Sequence, residues 1–229
     1  MVPDVPRRSS ALRLLLVALL GTALILLAPP QVHAAINGTE FPSASQVKTS
    51  MNGKGKWSRS LGDPNFKAIG ASPAACRSDL PFAEATEFRN AYYYGSIAGN
   101  KKYHGTSEVT VYRFGSVDDA VQAMAGLPGF LTACPKSKEW VCERCDGIAT
   151  YYRTPAAPRP VGEESVAWNE RSVGMGIAKG HAIAARTGAT IVVTVVSHQT
   201  DPERMKTPPA PTWKQAVSVA GKAVNKAAP

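Results

Sequence analysis

The amino-acid sequence predicts an α+β fold: an antiparallel sheet covered by helices, in a single disulfide-stapled domain. Three observations carry that expectation. Runs rich in aromatic and β-forming residues, one of them alternating with period two, are separated by short breaks and read as hairpin strands. Two segments, beginning at Ser116 and Thr212, combine helix-start signals with apolar residues at helical spacing. Four cysteines, an even number, follow an N-terminus built like an export signal.

That N-terminus comes first in chain order. Arg7, Arg8 and Arg13 flank an apolar run over residues 14–28, followed by Pro29-Pro30 and Val32-His33-Ala34. Small residues stand at the positions a signal peptidase reads, which completes the three-part layout of a secretory signal. The run is shorter than the roughly 20 residues that cross a bilayer as a helix. Residues 1–34 are therefore expected to be a cleaved signal peptide, with an uncleaved anchor as the competing reading. Residues 35–229 are then one domain, secreted or held in the cell envelope. No cysteine lies near the cleavage point, which excludes a lipid anchor on a new N-terminal cysteine. Asn37-Gly38-Thr39 matches a glycosylation sequon, relevant only in a eukaryotic secretory pathway.

The formal charge is +9. Removing residues 1–34, which carry three Arg and one Asp, leaves 23 basic against 16 acidic residues, or +7. The basic residues are scattered, as at Lys54, Lys56 and Arg59, at Lys136 and Lys138, and at Lys214, Lys222 and Lys226. Outside the cell this argues against nucleic acid as a partner. It leaves an anionic cell-wall polymer or lipid surface as a long-range attraction, beside the plainer reading of a solvated surface on a monomer.

Residues 35–75 read as loosely organised, with Ser43-x-x-Gln46 as the capping box of a short helix. Gly53, Gly55 and Gly62-Asp63-Pro64 then mark a loop. Residues 87–97, with Tyr92-Tyr93-Tyr94, and 108–114 form a hairpin around Ala98-Gly99-Asn100-Lys101. Ser116 caps a helix with acids in its first turn and Val117, Ala120, Val121, Met124 and Leu127 on one stripe. Gly126 and Pro128 should end or kink it.

Strands are expected at 148–153, 166–171, 182–186 and 189–196, with a Pro-rich connection over 154–160 and turns at Gly174-Met175-Gly176 and Lys179-Gly180. Thr212-x-x-Gln215 caps a last helix whose stripe is Trp213, Ala216, Val217, Ala220, Ala223 and Val224. Such a stripe with lysines opposite packs on a sheet, with membrane-surface binding as the runner-up.

Cys76, Cys134, Cys142 and Cys145 imply two disulfides in three alternative pairings. A local clip from Cys134 to Cys142 or Cys145 would leave the other for Cys76. Cys142-Glu143-Arg144-Cys145 is read as structural. A redox CxxC opens a helix after a strand, whereas strand signals flank this one on both sides. A zinc site needs a second close pair or nearby histidines.

No constellation supports catalysis, a metal or a cofactor. His104, His181 and His198 have no partner at ligand spacing, and neither Ser172 nor Ser96 sits in a nucleophile elbow. Asp118-Asp119 and Glu163-Glu164 are adjacent acids expected to point apart, unlike a glycosidase dyad. Gly174-x-Gly176-x-x-x-Gly180 opens no helix and is no phosphate loop.

Several segments together resemble a known family. Val111-Tyr112-Arg113-Phe114-Gly115-Ser116-Val117-Asp118-Asp119-Ala120, running on to Cys134, is similar to a strand–capped helix–Cys unit. Pro73-Ala74-Ala75-Cys76 resembles an early Pro-x-x-Cys. Val161-Gly162-Glu163-Glu164-Ser165 resembles a Val-Gly-Asp-Glu-Ala strand, and Arg186-Thr187-Gly188-Ala189 the Arg-x-Gly-Asn turn before the next one. These belong to the PknH-like extracellular domain family of actinobacterial exported proteins, named from the sensor domain of a receptor serine/threonine kinase. The resemblance spans roughly residues 40–226. It implies an antiparallel sheet covered by helices, disulfide staples and a cleft for ligand capture.

Ala189 departs from the family pattern, Cys142 and Cys145 lie unusually close, and the matched motifs transfer no ligand residue. No kinase or transmembrane helix accompanies the domain, so a signalling role does not transfer directly. The expected function is a non-enzymatic extracytoplasmic ligand-binding or sensor-type domain for an unknown small molecule or envelope component. Some of Tyr92, Tyr93, Tyr94 and Trp168 would line its cleft, since alternation sends strand neighbours to opposite faces. The rivals are a small exported enzyme or thiol oxidoreductase using Cys142 and Cys145, and an envelope-attachment protein.

Overall fold

In the computed structural model the eight described strands pair into one antiparallel sheet. The structure describes residues 35–62, 76, 82–100, 102–142, 145–174, 176–200 and 206–228, with backbone alone over 139–148. The expected signal peptide and the Pro73-Ala74-Ala75 motif lie outside the described residues. The strands are β1 (Gly53–Leu61), β2 (Glu87–Ile97), β3 (Tyr103–Arg113), β4 (Lys136–Cys142), β5 (Cys145–Ala156), β6 (Glu164–Gly174), β7 (Gly176–Thr187) and β8 (Thr190–Thr200). The helices are α1 (Ala44–Ser50), α2 (Val117–Ala133) and α3 (Trp213–Ala227). Residues 35–229 form one compact unit.

The sheet order is β1-β2-β3-β8-β7-β6-β5-β4. One meander, β1 to β3, therefore meets the end of a second, β4 to β8, along the β3–β8 seam. That seam runs in unbroken register from Tyr103↔Thr200 to Arg113↔Thr190. α2 leads the chain away from the seam, out to the far edge where β4 begins.

Alternation divides the sheet between two buried clusters. In β7, Ala182 and Ala184 join Phe114, Ile191 and the α2 residues Ala120, Met124, Leu127 and Leu131. Ile183 and Ala185 face the other way, with Tyr93, Val109, Val192 and Val196, onto Val47 and Met51 and the α3 residues Ala216, Val219, Ala220 and Ala223. Burial on both faces explains the continuous apolar run in β8, which a half-solvated strand would not need. The α3 stripe is mostly alanine, so the helix axis approaches the sheet closely. All three helices carry the expected caps: Ser43 and Thr212 form full capping boxes, and the Ser116 side chain accepts from the Asp119 N–H.

Four expectations are corrected. Residues 53–61 form a strand rather than a loop. A register slip between Lys54 and Trp57, with Gly55 at φ +64°, hides the alternation. Trp57 is the one buried side chain of β1. Its ring lies where a Cβ at Gly95 would sit, 2.4 Å away, and its Nε1–H donates to Ser96 O at 3.0 Å.

Pro128 lies inside α2, which continues to Ala133. Proline removes one backbone donor there, but Met124, Leu127 and Leu131 are buried on either side of it. The next residue, Cys134, is bonded to Cys76. Lys179 and Gly180 sit mid-strand in β7, not at a turn. Finally, β5 continues through Pro155, paired with Trp168 of β6. At that end β4 has already stopped, with Lys136 opposite Tyr152, so the missing N–H of Pro155 faces no neighbouring strand.

The disulfide joins Cys76 to Cys134, across 58 residues of sequence, and not to the nearer Cys142 or Cys145. Those two are register partners across the β4–β5 hairpin, while Cys134 ends α2 on the sheet face.

Two stability outcomes follow from this packing. Replacing Cys76 and Cys134 together by serine should lower unfolding free energy by about 2–4 kcal/mol in guanidinium titrations, from the loop entropy released. A Cβ at Gly180 would lie 2.0 Å from Val196 O, a backbone atom that cannot swing aside. Gly180→Ala should cost about 1–3 kcal/mol by the same measurement; an unchanged midpoint would mean β7 and β8 separate there freely.

Candidate functional site

The two ends of the α2-bearing sheet face differ. At one end, Phe114, Trp168, Ala184 and Ile191 pack under α2. At the other, the strands surround an open cleft of about 340 Å³. Its floor is hollow because the β6–β7 positions facing it are Gly174, Gly176, Ala178 and Gly180, which supply almost no side chain. Tyr92 of β2 with Thr106 and Glu108 of β3 rise on one side, and Tyr151 of β5 with Glu170 and Ser172 of β6 on the other. Val195, Ser197 and Gln199 of β8 lie between them. Both meanders contribute, so the cleft straddles the β3–β8 seam.

Polar groups in the cleft are held in place by neighbours. Thr106 Oγ1 and Ser197 Oγ share a hydrogen bond of 2.6 Å across the seam. Asn90 Nδ2 donates to Glu108 Oε1 at 3.1 Å. Trp168 Nε1 donates to Glu170 Oε2 at 3.2 Å, and Arg153 Nε lies 3.8 Å from the same oxygen. Arg153 is itself buried and donates to Ser137 Oγ at 2.7 Å. Burial, and then the charge of Glu108, raise the Tyr92 phenol above its ordinary pKa, so it remains a neutral donor at physiological pH. On the same strand face Tyr94 stacks on His104 with centroids 4.9 Å apart.

The four aromatics singled out in the sequence separate by face. Tyr92 and Tyr94 share the cleft face and are partly exposed. Tyr93 points the opposite way, fully buried, its hydroxyl donating to Pro42 O at 2.7 Å and its pKa pushed up to about 12 by burial. Trp168 is core under α2 and reaches the site only through its bond to Glu170.

The histidines do not converge. His181 and His198 lie on the α3 face, beneath the Pro-rich entry to that helix. His181 Nε2 meets Pro211 O at 2.8 Å and its Nδ1 meets Asn169 Oδ1 at 3.0 Å, while its ring stacks on Trp213 at 4.0 Å. Arg159 covers that indole at 4.1 Å. His198 Nδ1 meets Pro209 O at 2.9 Å. Burial lowers both imidazole pKa values.

Of the adjacent acids, Asp119, Glu163 and Glu164 have structural partners. Asp119 accepts from Ser116 Oγ at 2.8 Å. Contrary to the expectation that neighbours diverge, Glu163 and Glu164 both reach Arg186, at 2.6 and 3.3 Å. The turn before β8 allows this by bringing Gly188 N within 3.0 Å of Glu163 Oε1. Cys142 and Cys145 flank a hairpin tip instead of opening a helix.

Sequence reasoning missed Thr106, Glu108, Glu170, Ser197 and Gln199. Sequence alone gave them no clear signal, because polar residues also stand between them: Ser107 separates Thr106 from Glu108, His198 separates Ser197 from Gln199, and Glu170 lies between Asn169 and Arg171. The glycine series rejected as a phosphate loop is the floor of the cleft.

No family model matches the sequence, and no curated protein does. Solved structures do. The extracellular domain of PknH from Mycobacterium tuberculosis matches with a TM-score of 0.51 at 13% identity, over 85% of this chain and 98% of that one. A putative uncharacterised protein from Mycobacterium smegmatis (an Rv0999 ortholog) matches with a TM-score of 0.42 at 11% identity, over 80% and 94%. The chain thus has the fold of the PknH extracellular domain, as its motifs suggested.

The two depressed histidines fix a pH dependence. In the folded state His181 and His198 bind protons more weakly than the ordinary 6.5, so the unfolded chain takes up more protons as pH falls. Stability is complete above about 6.5 and declines as pH drops through that value toward the folded pKa values. Urea midpoints should fall between pH 7.5 and 5.5, and a His181→Gln/His198→Gln variant should show a flatter profile. An equally steep profile in that variant would assign the loss to other groups.

Proposed function

We propose that residues 35–229 form a non-enzymatic, extracytoplasmic ligand-binding domain of the sensor type, which takes its ligand into the cleft beside α2. The observation that carries this reading is the cleft itself. It is a concavity of about 340 Å³, within the range of small-molecule sites, and convergent polar groups are held around it by Asn90, Trp168 and Arg153. Carboxylates fastened in this way suit orientation of a ligand better than proton transfer. His181 and His198 are on the opposite face, engaged by backbone carbonyls.

Export is supported by the signal-like N-terminus and by a disulfide that suits an oxidising compartment. The matched PknH structure is itself an extracellular domain. No helix among the described residues is long and apolar enough to cross a membrane. Cys142 and Cys145 complete the reading as a second, structural disulfide: with Cys76 joined to Cys134, each is the other's remaining intrachain partner. A strand-hairpin setting also lacks the helix N-terminus that activates a redox CxxC.

Electrostatic attachment to an anionic wall polymer is weaker. Lys54, Lys56, Lys136 and Lys138 lie on β1 and β4, the two edge strands, where exposed lysines serve to block edge-to-edge pairing.

Expression of the full chain should yield a product in the medium or envelope that begins at residue 35 and has no free thiols. Amide resonances of that product, recorded with a low-molecular-mass envelope extract, should shift first at Thr106, Gly180, Ser197 and Gln199. Ala178→Trp, which fills the floor, should abolish those shifts. Shifts clustered elsewhere, or an intact product retained in the cytoplasm, would overturn the reading.

A further inference from the structure

The chemistry of the cleft narrows its ligand, on the reading that the cleft is the binding site. Among the described lining residues the largest aliphatic side chain is Val195. An acyl chain would find no aliphatic side chain longer than valine to bury against, only the tyrosine rings and alanines besides, and burial scales with apolar area. Anions are disfavoured as well, although the domain is basic overall. The lining carries Glu108 and Glu170, and the nearby Arg153 already faces Glu170.

What the cleft does offer is a dense set of small polar groups. Hydroxyls come from Thr106, Ser172, Ser197, Tyr92 and Tyr151, and an amide from Gln199. Each hydroxyl both donates and accepts, and the Glu108 carboxylate accepts from neighbouring donors. A small cation would pair with a carboxylate but make no use of the hydroxyls' donors, whereas a polyhydroxylated ligand can both donate to and accept from them. Two half-exposed rings, Tyr92 and Tyr94, stand two residues apart on one strand face. They extend from the cleft along β2 and present flat apolar surfaces with polar tips.

We infer that the cleft takes a neutral, polyhydroxylated ligand, a saccharide. Its hydroxyls would meet Glu108, Gln199 and the serine and threonine hydroxyls, and a ring face would lie on Tyr92. Beyond the cleft the exposed part of Tyr94, whose ring stacks on His104, would offer contact to a second sugar unit, so affinity should grow from mono- to oligosaccharide.

The test is a glycan array of bacterial wall and capsular saccharides probed with the exported protein, followed by calorimetric titration of the best oligosaccharide and its monosaccharide. The expected result is selective binding of the oligosaccharide. Tyr92→Ala should weaken it about tenfold, since an aromatic contact of about 1.4 kcal/mol corresponds to that factor. Tyr92→Phe, which keeps the ring, should lose less. Unchanged urea midpoints in both variants would separate binding from folding.

Spermidine, inorganic phosphate and laurate serve as the cationic, anionic and apolar probes. If no saccharide binds while one of these shifts the cleft amides, the saccharide inference is overturned and the cleft reading stands. If every probe is silent and the envelope extract leaves the cleft amides unmoved, both fall. Saccharide binding that survives Tyr92→Ala at full strength also overturns the assignment to this site.

Discussion

The β3–β8 seam is the constraint on which the rest of the molecule depends. It joins two meanders whose paired residues lie about ninety positions apart at one end, Thr106 against Ser197. Pairing so distant in sequence pays its chain-closure entropy before its contacts form. The return comes from burial on both faces at once. Val109 and Val111 of one meander and Val192 and Val196 of the other share a cluster with α3, and Ile191 closes against α2. The cleft exists only when that seam is in register, because Glu108 and Thr106 belong to one half and Gly180, Glu170 and Tyr151 to the other. A slip of one residue would exchange the faces and put Val196 and Val109 where the hydroxyls now stand.

Each half is held to the seam by a different device. α3 packs against β8, β7 and β3, and its entry segment is fixed by His181, His198 and Trp213 beneath Arg159. α2 carries the chain to the outer edge, and its end is tied to Cys76. This division accounts for the placement of polar side chains in an otherwise apolar interior. The imidazoles satisfy proline-segment carbonyls that no ladder serves, and buried Tyr93 does the same for Pro42. These are structural roles, which is why His181, His198 and Tyr93 lie away from the cleft.

Legibility from sequence followed the range of the interaction concerned. β8, the β2–β3 hairpin and the caps at Ser43, Ser116 and Thr212 were readable because their causes lie within a few residues. β1 was not, since its single anchor Trp57 is held by Gly95 and Ser96 some forty positions away. Pro128 misled because local geometry predicts a break, whereas packing around Met124 and Leu131 carries the helix past it. Lys179-Gly180 was misread for the same reason: a glycine that looks like a turn signal is demanded instead by the approach of β8. Of the cleft, the tyrosines were visible as candidates, but only the β2–β3–β8 register selects Tyr92 and Tyr94 over Tyr93. The wall carboxylates gave no signal, because what distinguishes Glu108 and Glu170 is their position across a floor that sequence does not display.

Gly180 shows how closely fold and site are coupled. Its missing side chain lets Val196 O come near, which keeps β7 and β8 paired there. The same missing side chain, with those at Gly174 and Gly176, leaves that end of the sheet face empty. A larger residue would fill the cleft and also force the strands apart, so the cavity costs the fold little beyond what pairing already requires. The walls are under no such demand. Thr106, Ser197, Ser172 and Gln199 occupy positions where valine would satisfy the sheet equally well and bury more apolar area. Strand positions that carry hydroxyls and amides around one open hollow are suited to polar contact, with water or with a bound ligand, rather than to packing in the core.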